Sequence, residues 1–127
     1  IDMVGESQEA LEITDKDLAS YKQLVAETGK LFGARHYEKY HFLWTLSDET
    51  AHHGLEHHES SDNKVREGYF TDDSQWKNSG SLLSHEMAHS WTGDSVTMNN
   101  WEDFWLNEGY TTFIERTVSG RLYGGDF

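Results

Sequence analysis

Three residues between Leu83 and Trp91 have the types and spacing needed to hold a metal ion and activate water. They are His85, Glu86 and His89, in the pattern His-Glu-x-x-His. In a helix, side chains four positions apart have Cβ atoms about 5–6 Å apart, so both imidazoles can meet one zinc at about 2.0–2.1 Å per bond. Glu86 leaves the same turn on the adjacent face and can reach a metal-bound water. Alone, this short pattern also fits a helix with two surface histidines and one surface glutamate.

A candidate for a third ligand follows in the triplet Asn107-Glu108-Gly109. Eighteen residues separate His89 from Glu108, a spacing at which a second helix can return a carboxylate to the two histidines. Two histidines, one glutamate and an open fourth position are typical of a catalytic zinc rather than a structural one. Together the two motifs predict one zinc per chain, held by His85, His89 and Glu108. They indicate a zinc peptidase in which Glu86 is the general base.

Composition and charge exclude several kinds of partner. The 127 residues suffice for one compact domain, 1–127, and the formal charge is −13, from 10 Lys and Arg against 23 Asp and Glu. This charge disfavours nucleic acid and anionic membranes. It favours a cationic ligand such as a free α-amino group, although solubility accounts for most of these charges. No cysteine is present and no apolar run is long enough to span a membrane. We therefore expect a soluble protein; the absence of cysteine leaves the compartment open, with the cytoplasm slightly favoured.

The elements that must position these residues can be predicted from hydrophobic spacing. Residues 1–14 suggest an irregular lead-in. A helix is predicted from about Lys16 to Phe32, with Thr14 or Asp15 as its cap and Gly33 at its end. A strand is predicted over residues 37–46, with four of its side chains on one face: Tyr40, Phe42, Trp44 and Leu46.

The segment 51–59 holds four histidines within seven positions: His52, His53, His57 and His58. If it is extended, His53 and His57 share a face but lie about 13 Å apart. A local metal chelate would need a turn at Gly54, which remains an alternative. The favoured hypothesis concerns substrate binding. Gly54 in an edge strand would allow the backbone of a peptide to approach closely, next to Glu56.

Two helices are predicted to carry the metal ligands. Residues 60–80 are polar and indicate loops around a short extended piece near Tyr69. Ser81 then caps a helix that runs to about Trp91 and ends at Gly93. A second helix is predicted from Trp101 or Glu102 to Leu122, with a buried side formed by six residues: Phe104, Trp105, Phe113, Ile114, Val118 and Leu122. On this helix Glu115 lies two turns after Glu108. It could accept a hydrogen bond from a ligand imidazole or be a solvated surface glutamate.

The second half of the chain resembles a known family. The run from His85 to Gly93, with Trp101, the run from Phe104 to Gly109 and the pair Glu115-Arg116, is similar to the zinc core of the aminopeptidase N family, which includes the leukotriene hydrolases and belongs to the gluzincins. This resemblance covers residues 81–127. It implies an α+β fold, namely the mixed-sheet lobe with active-site helices of a thermolysin-like peptidase catalytic domain.

The first half resembles a different gluzincin group, the glycyl aminopeptidase family. The resemblance covers residues 29–57 and includes Gly54-Leu55-Glu56-His57. This segment stands where the aminopeptidase N family has Gly-Ala-Met-Glu-Asn. Glu56 matches the glutamate that binds the free amino end of the substrate in that family, whereas His57 takes the place of the asparagine. The resemblance thus implies a peptide substrate with a free N-terminus.

The resemblance also implies that the chain is part of a larger enzyme. The family uses a tyrosine well beyond the third zinc ligand to stabilise the oxyanion, and nineteen residues follow Glu108 here. Tyr110 and Tyr123 lie too close to Glu108 to match that position. The predicted function is a zinc aminopeptidase acting on N-terminal peptide bonds. Two alternatives remain: a zinc endopeptidase, in which Glu56 only lines the cleft, and an inactive zinc-binding fragment.

Overall fold

The structure, a computed structural model, is described here for residues 1–124, leaving aside the side chains at positions 73, 76–81 and 123. Within that range four strands form one mixed sheet: β1 (Asp2–Gly5), β2 (His41–Leu46), β3 (His53–His57) and β4 (Ser60–Val65). Their spatial order is β1-β2-β4-β3. The first three in that order are mutually parallel, whereas β3 runs antiparallel to β4 at the edge of the sheet. The α+β prediction is confirmed.

Three helices accompany the sheet: α1 (Asp15–Phe32), α2 (Asp73–His89) and α3 (Phe104–Tyr123). A short 3-10 turn precedes each helix in the chain: Glu9–Leu11, Glu67–Phe70 and Trp101–Asp103. Among the residues that the structure describes, the helices are too short or too polar to cross a membrane.

Local interactions determine where helix α1 begins and where it ends. The Thr14 hydroxyl accepts from the Asp17 N–H at 3.2 Å, and the Asp17 carboxylate accepts from the Thr14 N–H at 3.2 Å. These two bonds satisfy backbone donors that the first turn leaves free. Gly33 ends the helix with φ +69°, a left-handed conformation that suits glycine. The predicted helix is confirmed, with its first residue one position earlier.

The inner face of the sheet supplies much of the core. Phe42, Trp44 and Leu46 alternate along β2 and are buried, as the sequence predicts. Trp44 stacks on Tyr69, with ring centroids 4.9 Å apart. The strand begins at His41 rather than at residue 37. Tyr40 still packs on Phe42, with ring centroids 5.1 Å apart, but residues before it pack elsewhere. Tyr37, for example, lies with its ring centroid 5.8 Å from that of Trp91.

The prediction of loops over residues 60–80 is wrong. This segment forms β4, a 3-10 turn and the first turns of α2, which Asp72 caps by accepting from the Ser74 N–H at 2.8 Å. The predicted cap at Ser81 is therefore also wrong. Strand β4 could not be predicted from hydrophobic alternation because its buried positions include polar residues. Asn63 is fully buried, and its amide donates to the Leu43 carbonyl at 3.2 Å and to the Ser61 hydroxyl at 2.9 Å.

Two further predictions need correction. Residues 2–5 form β1, a four-residue strand held by parallel pairing with β2, rather than an irregular lead-in. On α3, Ile114 and Val118 are buried, but three of the six predicted core residues are exposed: Phe104, Trp105 and Phe113. The buried side of α3 is the one that packs against α2. The exposed aromatic residues lie away from that contact.

Candidate metal centre

Helix α2 presents the two histidines to the same point. The Nε2 atoms of His85 and His89 lie 3.0 Å apart. This is the convergence expected of positions four apart on one helical face. His89 is 1% exposed and His85 is partly buried. The His89 ring is therefore screened from water by the protein, whereas the His85 side chain is 20% exposed.

The other ring nitrogen of each histidine has a partner of its own. His85 Nδ1 lies 2.9 Å from Glu115 Oε2, and His89 Nδ1 lies 3.0 Å from the Thr92 carbonyl oxygen. A carboxylate and a carbonyl only accept, so each Nδ1 carries the proton and each Nε2 keeps a lone pair. Two lone pairs facing each other at this distance repel unless a proton or a metal ion lies between them. Metal-binding histidines are commonly oriented in this way.

Glu108, on α3, completes the cluster. Its Oε2 lies 3.4 Å from His85 Nε2, and its Oε1 lies 3.7 Å from His89 Nε2. Zinc bonds of about 2.0–2.1 Å in tetrahedral geometry place neighbouring ligand atoms about 3.3 Å apart. The separation of the two Nε2 atoms and their distances to the nearer Glu108 oxygens, one oxygen for each histidine, are close to that value. His85, His89 and Glu108 thus form a candidate metal site, with ligand atoms all within 4.8 Å of one another.

Acidic groups around the site also affect His85. Burial alone would lower the pKa of His85, but the hydrogen bond from its ring to Glu115 and the charges of Glu86, Glu115 and Glu108 raise it above its ordinary value. The same negative charges would stabilise a bound cation. His85 thus lies in a cluster of negatively charged side chains.

Glu86 lies beside the candidate metal site and is 5% exposed. Burial raises the pKa of Glu86 to about 7; the charge of His85 opposes this rise, and the charges of Glu56, Glu108 and Glu115 add to it. A carboxylate with a pKa near neutrality can both take up and release a proton at physiological pH. This is the property that a general base and acid needs.

Strand β3 brings Gly54 and Glu56 to the site. Gly54 is opposite Asn63 and Glu56 is opposite Ser61 on β4, so both are on the inner side of the sheet. A Cβ atom added to Gly54 would lie 2.8 Å from Glu86 Cγ and 2.5 Å from its Cδ. The space left by the missing side chain is therefore occupied by Glu86. The predicted approach of a substrate backbone at Gly54 stays a prediction, because the structure shows a different neighbour there.

The prediction that β3 is an edge strand is confirmed, and its histidines do not form a metal cluster. His53 and His57 are exposed on the outer side. His52 Nε2 lies 3.0 Å from the Ser47 carbonyl, and His58 lies against His36, with ring centroids 4.7 Å apart. In the part of the chain that the structure describes, the one group of residues placed to hold a metal is His85 and His89 of α2 with Glu108 of α3.

Several residues near the site were not singled out from sequence. The Thr111 hydroxyl lies 3.1 Å from the Thr92 carbonyl that His89 contacts. Asp94 lies near Glu56: burial, and then the Glu56 charge, raise the pKa of Asp94. Thr111 is three positions after Glu108, so helical spacing could have placed it on the side of α3 that faces the ligands. Asp94 gave no such signal, because it lies in a turn.

Comparison with known proteins identifies the class. Residues 64–126 match the Peptidase family M1 domain. A segment of 47 residues is 57% identical to leukotriene A-4 hydrolase of Xenopus laevis, covering 37% of this chain and 8% of that protein. Another of 50 residues is 50% identical to leucine aminopeptidase 2 of Eremothecium gossypii, covering 39% of this chain and 8% of that protein. The matched segment is thus similar to peptidases, and it contains the three residues of the His-His-Glu cluster.

The predicted resemblance of the second half of the chain to the family of aminopeptidase N and the leukotriene hydrolases is confirmed by these matches. A solved structure of an aminopeptidase N family protein from Idiomarina loihiensis has the same fold, with a TM-score of 0.73 and 18% identity, over 95% of this chain and 23% of that one. The chain spans less than a tenth of the length of the relatives named above. The resemblance of residues 29–57 to the glycyl aminopeptidase family lies outside the matched segment and stays a prediction.

Proposed function

We propose that residues 1–127 belong to one catalytic domain of a zinc aminopeptidase that hydrolyses the N-terminal peptide bond of peptides. The observation that carries the proposal is the meeting of ligand atoms from His85, His89 and Glu108 within 4.8 Å of one another, with the two imidazole Nε2 atoms 3.0 Å apart. The carboxylate of Glu86 lies on α2, the helix that carries both histidines. Three ligands leave a fourth position open for water or substrate.

Zinc fits the donor set better than the harder cations do. Two imidazoles and one carboxylate suit zinc, whereas calcium and magnesium prefer sites built from oxygen. When bound, the ion would supply Lewis acidity, which makes water easier to deprotonate and polarises a carbonyl oxygen. Glu115 would hold the His85 ring in the orientation that binding requires, through the 2.9 Å hydrogen bond.

Glu86 is assigned the proton transfers. It would take a proton from the attacking water and pass it to the nitrogen of the leaving amine, so that the carboxylate is regenerated in each cycle. In the metal-free site the pKa of Glu86 is about 7, and the charge of a bound zinc would lower it, which keeps the carboxylate ready to accept a proton. Contact with Gly54 limits the positions that its side chain can adopt.

Glu56 is assigned the free amino end of the substrate. It lies on the inner side of an edge strand and close enough to Glu86 and Asp94 to raise the pKa of both. A peptide could pair with the free edge of β3 and place its terminal ammonium against Glu56 in a charge-assisted hydrogen bond. Register along the strand would then set which peptide bond reaches Glu86.

Metal analysis joined to a turnover assay tests the proposal. We expect one zinc per chain and hydrolysis of aminoacyl substrates that stops on metal removal and returns with zinc. Preference for free over acetylated amino ends supports an aminopeptidase. Equal rates on both substrate types would instead support an endopeptidase, and zinc without turnover would support a binding fragment. A chain without zinc would overturn the proposal.

A further inference from the structure

The Thr92 carbonyl is shared by a metal-ligand candidate and by the neighbouring helix. It accepts from His89 Nδ1 at 3.0 Å and from the Thr111 hydroxyl at 3.1 Å. The Thr111 oxygen lies 3.4 Å from His89 Nδ1 and thereby closes a triangle of polar atoms. Thr111 and His89 are 0% and 1% exposed, so water does not compete for these contacts.

We propose that Thr111 is a positioning residue that fixes the ring orientation of His89 and couples it to α3. The inference rests on the zinc site proposed above, because it assigns to His89 a role in binding the ion. Thr111 does not contact the candidate metal position itself. It acts through the Thr92 carbonyl and the His89 ring.

The hydrogen bonds of Thr92 and Thr111 limit which of the two hydroxyl groups donates to the other. The Thr92 hydroxyl donates to the Ala88 carbonyl at 3.2 Å, within α2. Its oxygen can then only accept from Thr111, 2.5 Å away. The single proton of the Thr111 hydroxyl is then shared between the Thr92 hydroxyl oxygen and the Thr92 carbonyl, and it goes to the carbonyl alone when the Thr92 hydroxyl donates to Thr111 instead.

The turn after α2 is shaped to present this carbonyl. Gly93 has φ +131°, and a Cβ there would lie 3.0 Å from His89 Nδ1 and 2.5 Å from Asn107 Oδ1. The backbone thus passes directly over the His89 ring in a conformation that side chains rarely allow. The N–H of the same peptide, from Gly93, donates to the Val96 carbonyl at 3.0 Å, so rotation of this peptide would break that bond together with the bonds that the Thr92 carbonyl accepts. The Thr111 hydroxyl, fixed on a packed helix, opposes that rotation.

Helix α3 would then determine the positions of two of the three proposed ligands. Glu108, one turn before Thr111 on α3, supplies a carboxylate, and Thr111 orients the imidazole of His89. A shift of α3 relative to α2 would move both at once. The affinity of the site for zinc should therefore depend on the Thr111 hydroxyl, although that group is not a ligand.

The test compares Thr111→Val, which keeps the shape and removes the hydroxyl, with Thr111→Ser, which keeps the hydroxyl. Zinc dissociation constants are measured on the 127-residue chain by competition with a chelator. Loss of a partner that orients a ligand typically weakens metal binding by about 10- to 100-fold, and we expect Thr111→Val to lose at least tenfold. Thr111→Ser should bind like the wild type. Thr117→Val is the matched control, because its hydroxyl contacts only the Phe113 carbonyl of its own helix in the described structure.

A second measurement does not depend on zinc. Imidazole nitrogen shifts of metal-free protein should show His89 with its proton on Nδ1 in the wild type and in Thr111→Ser, and a changed tautomer population in Thr111→Val. Unchanged zinc affinity and unchanged nitrogen shifts in Thr111→Val would overturn the inference. If the wild type binds no zinc, the proposed function fails, and the nitrogen shifts decide the inference separately. Should the valine variant not fold, Thr111→Ala against Thr111→Ser tests the same hydroxyl.

Discussion

The side chain of Glu86 lies directly over the α-carbon of Gly54, in the space that any other residue would fill with its own side chain. A Cβ at Gly54 would come within 2.8 Å of Glu86 Cγ, closer than such atoms are normally found. The edge strand and the metal-bearing helix therefore meet at the proposed general base. Glycine at this position is needed to hold the carboxylate where it is.

Substitution of this glycine should move the carboxylate and not the metal. In Gly54→Ala we expect zinc binding like that of the wild type and a fall in kcat of at least tenfold, because a misplaced catalytic group can cost about 100-fold. Zinc content and steady-state kinetics check this. Gly29→Ala is the control: its added Cβ would meet only the Arg35 side chain, at 3.2 Å, which is exposed and can yield. An unchanged kcat in Gly54→Ala would show that the contact with Glu86 does not affect catalysis.

Removal of the charge from Glu86 should separate metal binding from chemistry. Glu86→Gln keeps the shape of the side chain but cannot take up the water proton. A general base typically contributes about 10²–10⁴-fold to the rate, so we expect a loss in that range with zinc content unchanged. Inductively coupled plasma analysis and a peptide assay on the same preparation measure both. A fully active Gln variant would assign the proton transfer elsewhere.

The ligand assignment predicts a contrast between two groups of histidines. His89→Ala should abolish tight zinc binding, because His89 is buried and faces His85 and Glu108. Changes at His57 and His58, which are exposed in the edge-strand region, should leave zinc content unaltered. Equilibrium dialysis against zinc buffers compares the three variants. Full zinc in His89→Ala, with loss in the His57 or His58 variant, would move the metal site to the histidine-rich segment.

The hydrogen bond between Glu115 and His85 predicts a smaller effect on the metal. Glu115→Ala removes the acceptor at His85 Nδ1 and leaves all three proposed ligands in place. Such changes typically weaken metal binding by about 10- to 100-fold. Thermal unfolding of metal-free protein serves as the control, since a purely structural role would lower its stability without a selective loss of zinc affinity.

Local signals made parts of this fold and site predictable. The cap at Thr14, the stop at Gly33 and the spacing of His85 and His89 are each determined by neighbouring residues, and each appears in the structure as expected. Strand β4 and the Thr92–Thr111 contact were missed for a shared reason. Their buried polar groups are stabilised by partners from other elements, which a linear pattern does not show. Burial of α3 was misassigned because aromatic side chains suggest a core even where they face outward.

The last prediction concerns recognition of the substrate. Glu56 lies on the inner side of β3, with Glu86 and Asp94 near enough for their pKa values to respond to its charge. A terminal ammonium placed there would neutralise part of this cluster, whereas an acetylated end would leave it unpaired. Loss of a hydrogen bond to a charged group costs about 1.5–3 kcal/mol, roughly ten- to hundred-fold. Glu56→Ala should therefore lower kcat/KM by that factor for free-amine substrates and far less for blocked ones. Zinc content, which should not change, verifies that the site is intact, and equal losses on both substrate types would show that Glu56 is structural and favour an endopeptidase.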